Sequence, residues 1–257
     1  VKQGRWHVGG SSVEEGDVNV PSPESVIRQV LYGNHWFQKE LGVQSVDYML
    51  PDCFGFQASM PSIWAHCGLR GFSTQKLSWG SAAGIPFPVG MWIGPDGKGV
   101  ICAFDPGSYG GGVDNRLDID PYWVGRVNSN GEKYGVFTDY HYFGTGDIGG
   151  SPREPDVAMA SKSMDNPDSQ VQVKMAASDQ MFRDITDAQA KKLPTYSGDL
   201  LLTQHSAGSI TSQAYMKRWN RKNELLADSA ERAAVAANWF GLQDYPQDRL
   251  NAAWTRV

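Results

Sequence analysis

Apolar residues recur at helical spacing over the first strongly patterned segment of the chain. In residues 23–41 they fall three and four positions apart, which predicts an amphipathic helix. Ser22 precedes this segment as a candidate N-cap, and Gly42 follows it where a helix would stop. The short apolar run at residues 46–50 then predicts a buried strand that ends at Pro51.

Helix and strand signals keep alternating along the chain. A helix is predicted over 60–67 and a strand over 71–76, and apolar runs at 89–93 and 99–104, joined by Gly-Pro-Asp-Gly, predict a hairpin. The remaining predictions are strands over 171–175 and 199–203, a helix over 178–193, a long helix over 214–240 and a further helix starting at 248. Repeated cycles of this kind predict an α/β fold with a barrel-like or doubly wound parallel sheet.

The type of predicted secondary structure changes over the last fifth of the chain. Residues 1–212 carry the strand and helix cycles, whereas residues 213–257 read as helix only. We therefore expect two domains, divided at that point. Because chemistry gathers at the carboxyl ends of parallel strands, Asp52, Lys76, Asp147 and His205 are expected on one face of the first domain.

Charge and hydropathy exclude several classes of protein. The 23 basic and 28 acidic residues give a net charge of −5, so the field of the protein repels a nucleic-acid backbone. The mean hydropathy is −0.42, and no apolar run reaches the ~18 residues that cross a bilayer, so neither nucleic acid nor membrane is an expected partner. Three scattered cysteines do not form a disulfide scaffold. The sequence does not decide whether the chain forms a homo-oligomer.

Aromatic residues give a hint about the ligand. The chain has nine Trp, ten Tyr and ten Phe, and the pairs and runs at 122–123 and 140–143 fall in stretches that read as loops. Flat amphipathic rings beside polar groups suit the faces of sugars. Ordinary packing in an α/β protein explains the same composition, so both interpretations stay open at this point.

Two carboxylates and a histidine are the candidates for chemistry. Asp52 follows a strand, Asp147 lies among glycines, and His205 follows another apolar run. Each has an ordinary alternative, as a helix cap, a turn residue or a hydrogen-bonded side chain. Together, two carboxylates among aromatic rings are the smallest set of groups that glycoside hydrolysis needs. An imidazole and a carboxylate that bind one divalent ion would add a Lewis acid.

Several ordered motifs narrow these alternatives. The strings LPDCFG at 50–55, STQKLSW at 73–79 and GTGD at 144–147, with His205 leading to TSQA at 211–214, resemble the α-mannosidases of glycoside hydrolase family 38. The resemblance runs from Gly4 into the last helices. It implies a (β/α)7-type barrel, incomplete here because its first strand is missing, followed by the start of a helical bundle domain. It also implies that the whole protein is a retaining hydrolase of terminal α-mannosides.

The resemblance also implies roles for the candidate residues. Asp52 would be the nucleophile and a ligand of one zinc ion, His205 a second zinc ligand, and Asp147 the acid/base. The substrate would be a mannose-containing oligosaccharide or glycan. Its sugar would be contacted by the side chains of Phe54, Lys76 and Trp79.

One departure from the family pattern concerns the metal. The other two zinc ligands of the family lie in a His-X-Asp motif, which would precede Gly4 and is not in this chain. We therefore expect the chain to be a piece of a longer protein, inactive by itself and weak in zinc binding.

Two alternative functions remain: a mannoside-binding member of the family without turnover, and a metal-dependent carbohydrate deacetylase. The compartment is open, with a bacterial periplasmic or secreted location favoured over a cytoplasmic one.

Overall fold

The sheet at the centre of the molecule has five strands and is mixed. A computed structural model describes all residues from Val1 to Val257. The strands are β1 (Asp47–Met49), β2 (Gly71–Ser73), β3 (Val89–Ile93), β4 (Gly99–Ala103) and β5 (Thr195–Tyr196), in the order β1-β2-β4-β3-β5. β1, β2 and β4 run parallel, β3 is antiparallel to β4, and β5 is parallel to β3.

Helices surround this sheet and form the end of the chain. They are α1 (Pro23–Leu41), α2 (Met60–His66), α3 (Pro121–Tyr134), α4 (Glu154–Met164), α5 (Gln180–Asp184), α6 (Asp187–Ala190), α7 (Ala214–Trp239) and α8 (Gln247–Trp254). Short 3-10 helices cover Lys76–Trp79 and Ala207–Ile210. No helix is both long enough and apolar enough to cross a bilayer.

The first helix has the boundaries that its pattern predicts. Ser22 Oγ accepts a hydrogen bond from the backbone N–H of Ser25 at 3.2 Å, and Gly42 ends the helix with a φ of 73°. Gly33 lies against neighbouring backbone, because a Cβ at this position would lie 2.6 Å from the carbonyl carbon of Ser12. α1 therefore packs directly on the segment that precedes it.

Aromatic rings fill the core on one face of the sheet. Trp64 of α2 stacks on Phe72 of β2 with 4.5 Å between ring centroids, and both rings are fully buried. Trp92 packs beside them and donates its indole N–H to the carbonyl of Gly198 at 3.0 Å. The opposite face is covered by a second cluster that includes Phe182 of α5. Many of the aromatic residues are thus accounted for by packing.

The predicted α/β class and the hairpin of β3 and β4 are confirmed. The strand predicted over 171–175 is wrong, since this half-exposed segment has no strand to pair with. The apolar run at 199–203 makes only isolated bridges to Phe56 and Ser81. The helix predicted over 178–193 is broken at Ile185, which is extended, and restarts at Thr186 with a capping box.

α3 and α4 were not predicted from the sequence. The pair Tyr122 and Trp123, predicted to lie in a loop, belongs to the first turn of α3. Gly125 and Gly131 lie within this helix and weaken its helical signal. The available start signal was Asp120 as N-cap followed by proline at the first helical position.

Glu231 joins α7 and α8 to α1. It accepts hydrogen bonds from Arg28 at 2.6 Å and from the Trp254 indole at 2.8 Å, and the Arg28 guanidinium lies 3.9 Å from the Trp254 ring centroid. Glu224 similarly accepts from the backbone N–H of Ser22 at 2.7 Å. The helical end of the chain is thus anchored on the first helix, and the domain division at 212 stays a prediction.

The turn between β3 and β4 is tied to α2 by one carboxylate. Asp96 accepts hydrogen bonds from Ser62 Oγ at 2.5 Å and from the Lys98 N–H at 3.0 Å, and it lies 2.8 Å from His66 Nε2. These hydrogen bonds lower the pKa of Asp96 to about 2. Because the folded-state pKa is below that of the unfolded chain, the stabilisation is present above roughly pH 4. It is lost as the pH falls through 2.

We expect Asp96→Asn to lower the melting temperature most near pH 6. The difference from the unmodified protein should shrink between about pH 4 and pH 2, because protonation removes the same charge from Asp96. Thermal melts followed by circular dichroism at a series of pH values measure this. Asp168→Asn, at another exposed carboxylate, is the control and should give no such trend. A difference that widens in acid would contradict the prediction.

Candidate active site

Lys76 lies at the centre of the candidate site. β2 ends at Ser73, and the chain then turns into the short 3-10 helix that begins at Lys76. The Lys76 ammonium forms an ion pair with Asp52 Oδ1, and its side chain is only 3% exposed. The same ammonium lies 4.1 Å from the centroid of the Trp79 ring, a favourable cation–π distance. Trp79 itself is 46% exposed and faces the opening of the site.

Asp52 reaches Lys76 because β1 and β2 are adjacent and parallel. Their carboxyl ends therefore lie side by side, and Pro51 ends β1 one residue before the carboxylate. Phe54, two residues further, places its ring centroid 5.3 Å from the Lys76 ammonium. The sequence placed Lys76 at the end of the strand 71–76, whereas the strand stops earlier and the side chain comes from the 3-10 helix.

The carboxyl group of Glu15 lies beside Asp52. Glu15 Oε1 accepts a hydrogen bond from the backbone N–H of Asp52 at 2.6 Å. Burial raises the pKa of Glu15, and the nearby Asp52 carboxylate raises it further, against the opposing effects of that hydrogen bond and of Lys76. Glu15 was not among the residues that the sequence singled out.

His205 is brought to the site by the segment 199–205, which packs against Phe56 and Gly80. The backbone of Leu200 exchanges two hydrogen bonds with Phe56, each of 2.9 Å, and Thr203 N–H donates to the carbonyl of Gly80 at 2.9 Å. These contacts bring the exposed His205 ring to 4.4 Å from the Trp79 ring, between centroids. The Phe54 ring lies 6.0 Å from the His205 ring, also between centroids.

Asp147 is positioned by Tyr109 and not by a strand. The Tyr109 hydroxyl donates to Asp147 Oδ1 at 3.0 Å, and the Tyr109 ring centroid lies 5.6 Å from the Lys76 ammonium. Asp147 has a φ of 65° in a loop without regular structure, so its predicted place at a strand end is wrong. Gly146 allows the approach, because a Cβ there would lie 2.2 Å from the Tyr109 ring.

Tyr109 is a second residue, after Glu15, that the sequence did not single out. Its backbone N–H donates to Gln75 Oε1 at 3.1 Å, so the residue before Lys76 also fixes the loop after β4. Burial, followed by hydrogen bonding to Asp147, raises the pKa of Tyr109, so its phenol stays protonated as a donor. Its only sequence signal was its place in the loop after a strand.

The structure therefore brings every predicted site residue into one neighbourhood. Lys76 contacts Asp52, Phe54 and Trp79, and Tyr109 connects this group to Asp147. His205 joins through Trp79 and Phe54. The carboxylates of Asp52 and Asp147 thus lie in the same neighbourhood as the Lys76 ammonium and several aromatic rings. Charged groups beside flat rings suit a polyhydroxyl ligand.

The residues of this chain do not make a complete zinc site. No group of three or more His, Cys, Asp and Glu side chains is placed to hold a metal ion. Asp52 and His205 supply at most two ligands, and Lys76 already neutralises the Asp52 carboxylate. Zinc sites ordinarily have at least three protein ligands.

Comparison with known proteins identifies the family of this chain. The family described as "Glycosyl hydrolases family 38 N-terminal domain" matches residues 1–199. Alpha-mannosidase 2C1 of Homo sapiens is 34% identical over 251 residues, which cover 96% of this chain and 23% of that protein. The alpha-mannosidase of Saccharomyces cerevisiae is 30% identical over 271 residues, covering 100% of this chain and 24% of that protein. The chain belongs to glycosyl hydrolases family 38.

A solved structure supports the fold. An alpha-mannosidase from Enterococcus faecalis V583 superimposes with a TM-score of 0.65 and 19% identity, covering 98% of this chain and 29% of that one. The α/β fold of this chain thus has a close counterpart in an experimental structure. The chain spans about a quarter of the length of the curated relatives that it matches.

Proposed function

We propose that the protein containing this chain is a retaining α-mannosidase that hydrolyses terminal α-mannosides. Family membership supports the class of enzyme. The observation that carries the proposal is the connection of Asp52 to Asp147 through Lys76 and Tyr109. Glycoside hydrolysis requires two carboxyl groups beside the bond that is cleaved.

In this proposal Asp52 attacks the anomeric carbon. The glycosidic bond breaks as the bond to Asp52 forms, which gives a covalent glycosyl-enzyme that water then releases. Lys76 orients the carboxylate, because its buried ammonium holds Oδ1 of Asp52. Glu15 fixes the backbone of Asp52 through its short hydrogen bond.

Asp147 is the acid and then the base. Its proton passes to the leaving oxygen in the first step, and the carboxylate takes a proton from the attacking water in the second. Tyr109 positions the group by donating to Oδ1, so the other oxygen carries the proton that is transferred. Asp147 is exposed, so its side chain is accessible to a substrate.

Aromatic side chains hold the sugar in this proposal. Phe54 and Trp79 both lie near the His205 ring and offer flat faces to a mannose residue of a glycan. Zinc binding by the whole protein would use Asp52 and His205 with two further ligands from outside this chain. We also propose that residues 1–212 belong to the barrel domain and residues 213–257 to the helical domain.

A mechanism-based inactivator tests the nucleophile. The complete protein is treated with a fluorinated mannoside that forms a slowly hydrolysed glycosyl-enzyme, and the labelled peptide is sequenced by mass spectrometry. The expected label is on Asp52. A label on another residue overturns the assignment. Mannoside binding without label or turnover would instead favour a binding protein that has no catalysis.

A further inference from the structure

A groove beside the candidate active site has no role in the mechanism above. It has a volume of about 490 Å³ and runs between the loop before β3 and one side of α3. Its walls include Pro86, Phe87, Tyr122, Arg126 and Tyr134. This volume falls in the range of roughly 300–1,000 Å³ that is typical of small-molecule sites.

The groove lies at the edge of the sheet that carries the candidate site. β4 is parallel to β2, so the residues after β4 emerge beside those after β2. Val89 at the start of β3 pairs with Ala103 at the end of β4, which places the loop before β3 at the same edge. Asp105, which contacts the groove residue Tyr122, precedes Tyr109 by four residues, at most about 14 Å of chain.

The Tyr122 ring is held in place although it is exposed. Its hydroxyl donates to Asp105 Oδ2 at 3.0 Å and accepts from Arg126 at 3.1 Å, while 56% of the residue is exposed. An exposed tyrosine that lacks such partners would lose rotational freedom on binding a ligand. A fixed ring avoids most of that cost. Tyr122 is therefore a preorganised flat surface.

The groove has two basic side chains in its lining, the exposed Lys133 and the mostly buried Arg126. Arg126 pairs with Asp105 at 2.9 Å and with Asp139 at 2.6 Å, and its side chain is only 10% exposed. Its positive charge is therefore neutralised within the protein and is not offered to an anion. Ser129 and Asn130 add uncharged polar groups to the lining. A fixed aromatic ring with uncharged donors and acceptors suits a polyhydroxyl chain.

We propose that this groove binds sugar residues of an α-mannooligosaccharide beyond the mannose that is cleaved, with the Tyr122 ring stacked on one of them. The inference rests on the proposed function, since it extends the substrate from the same opening. It makes the protein selective for oligosaccharides over short synthetic glycosides.

Tyr122→Ala in the complete protein tests the groove. We compare kcat/KM on mannotetraose with kcat/KM on 4-nitrophenyl α-mannoside, which has no further sugar residue to place in the groove. The variant should lose about tenfold more on mannotetraose than on the aryl mannoside, which is equivalent to about 1.4 kcal/mol. Tyr122→Phe keeps the ring but loses both hydroxyl contacts, so it should fall between the two proteins.

Tyr215→Ala is the matched control. Tyr215 is also the second residue of a helix, is 70% exposed and packs edge-on against a tryptophan, but it lies on α7. It should change neither rate constant. Equal effects of Tyr122→Ala on both substrates, with an unchanged melting temperature, would overturn the groove proposal and leave the proposed function intact. Failure of the unmodified protein to hydrolyse either substrate would overturn the proposed function itself.

Discussion

Asp52→Ala should reduce the turnover of the complete protein by at least about 10⁴-fold, because no other group can form the glycosyl-enzyme. The Lys76 ammonium would lose its counter-ion in this variant, and its side chain is almost fully buried. Some loss of stability is therefore expected as well. Asp52→Asn keeps the shape of the side chain and a carbonyl oxygen for Lys76, so it separates lost chemistry from lost folding. Both variants are assayed on 4-nitrophenyl α-mannoside with a melting curve for each.

Asp17→Asn is the control for this experiment. Asp17 is an exposed carboxylate in the segment that packs beside Cys53, and its side chain accepts a hydrogen bond from the Asn19 N–H at 2.7 Å. It has no contact with Lys76 and should keep most of the activity. Turnover of a folded Asp52→Asn protein within tenfold of the unmodified enzyme would remove Asp52 from the role of nucleophile.

The part of the site that follows strands, Asp52 and Lys76, could be predicted from the sequence. Asp52 and Lys76 follow adjacent parallel strands, so the alternation of apolar runs and helical segments was enough to bring them to one edge. Even there the detail differed, since a 3-10 helix and not the strand presents Lys76. The helix α1 was predicted with its caps because both caps are local signals.

The other half of the site depends on contacts that no periodic pattern encodes. Asp147 occupies an irregular loop, and the Tyr109 side chain holds it through packing on Gly146 and a hydrogen bond to Oδ1. Tyr109 in turn is held by the side chain of Gln75, which is distant in sequence. Such long-range contacts leave no trace in hydrophobic spacing. The GTGD motif identified Asp147 through resemblance, but nothing in the sequence identified its partner.

The groove could not be predicted from the sequence either, because the helix α3 that lines it was not predicted. Glycine and asparagine in its second half weaken the helical pattern, and Tyr122 consequently read as a loop residue. In the structure its hydroxyl is anchored by Asp105 and Arg126, which fold onto it from the end of β4 and from the next turn of the helix. The excess of aromatic residues in the composition thus has two sources, a packed core and fixed exposed rings.

Asp147→Ala should slow the enzyme in a way that depends on the leaving group. Substrates with poor leaving groups need a proton at the departing oxygen, so their kcat/KM should fall by about 10²–10⁴-fold. Substrates with good leaving groups, such as 2,4-dinitrophenyl α-mannoside, should lose much less in kcat/KM. Their kcat should still fall, because the second step lacks its base. Tyr109→Phe removes the hydrogen bond to Asp147 and should give a smaller loss with the same dependence.

Azide distinguishes the acid/base role from a structural one. The anion needs no base to attack the glycosyl-enzyme, so it should restore kcat of Asp147→Ala on the activated substrate and give α-mannosyl azide as the product. Asp114→Ala, at an exposed carboxylate of the neighbouring glycine-rich loop, should be unaffected by azide. If azide fails to accelerate a folded Asp147→Ala protein, or the loss is the same for good and poor leaving groups, another residue supplies the proton. Glu15, the remaining carboxyl group beside Asp52, would then be the first to examine.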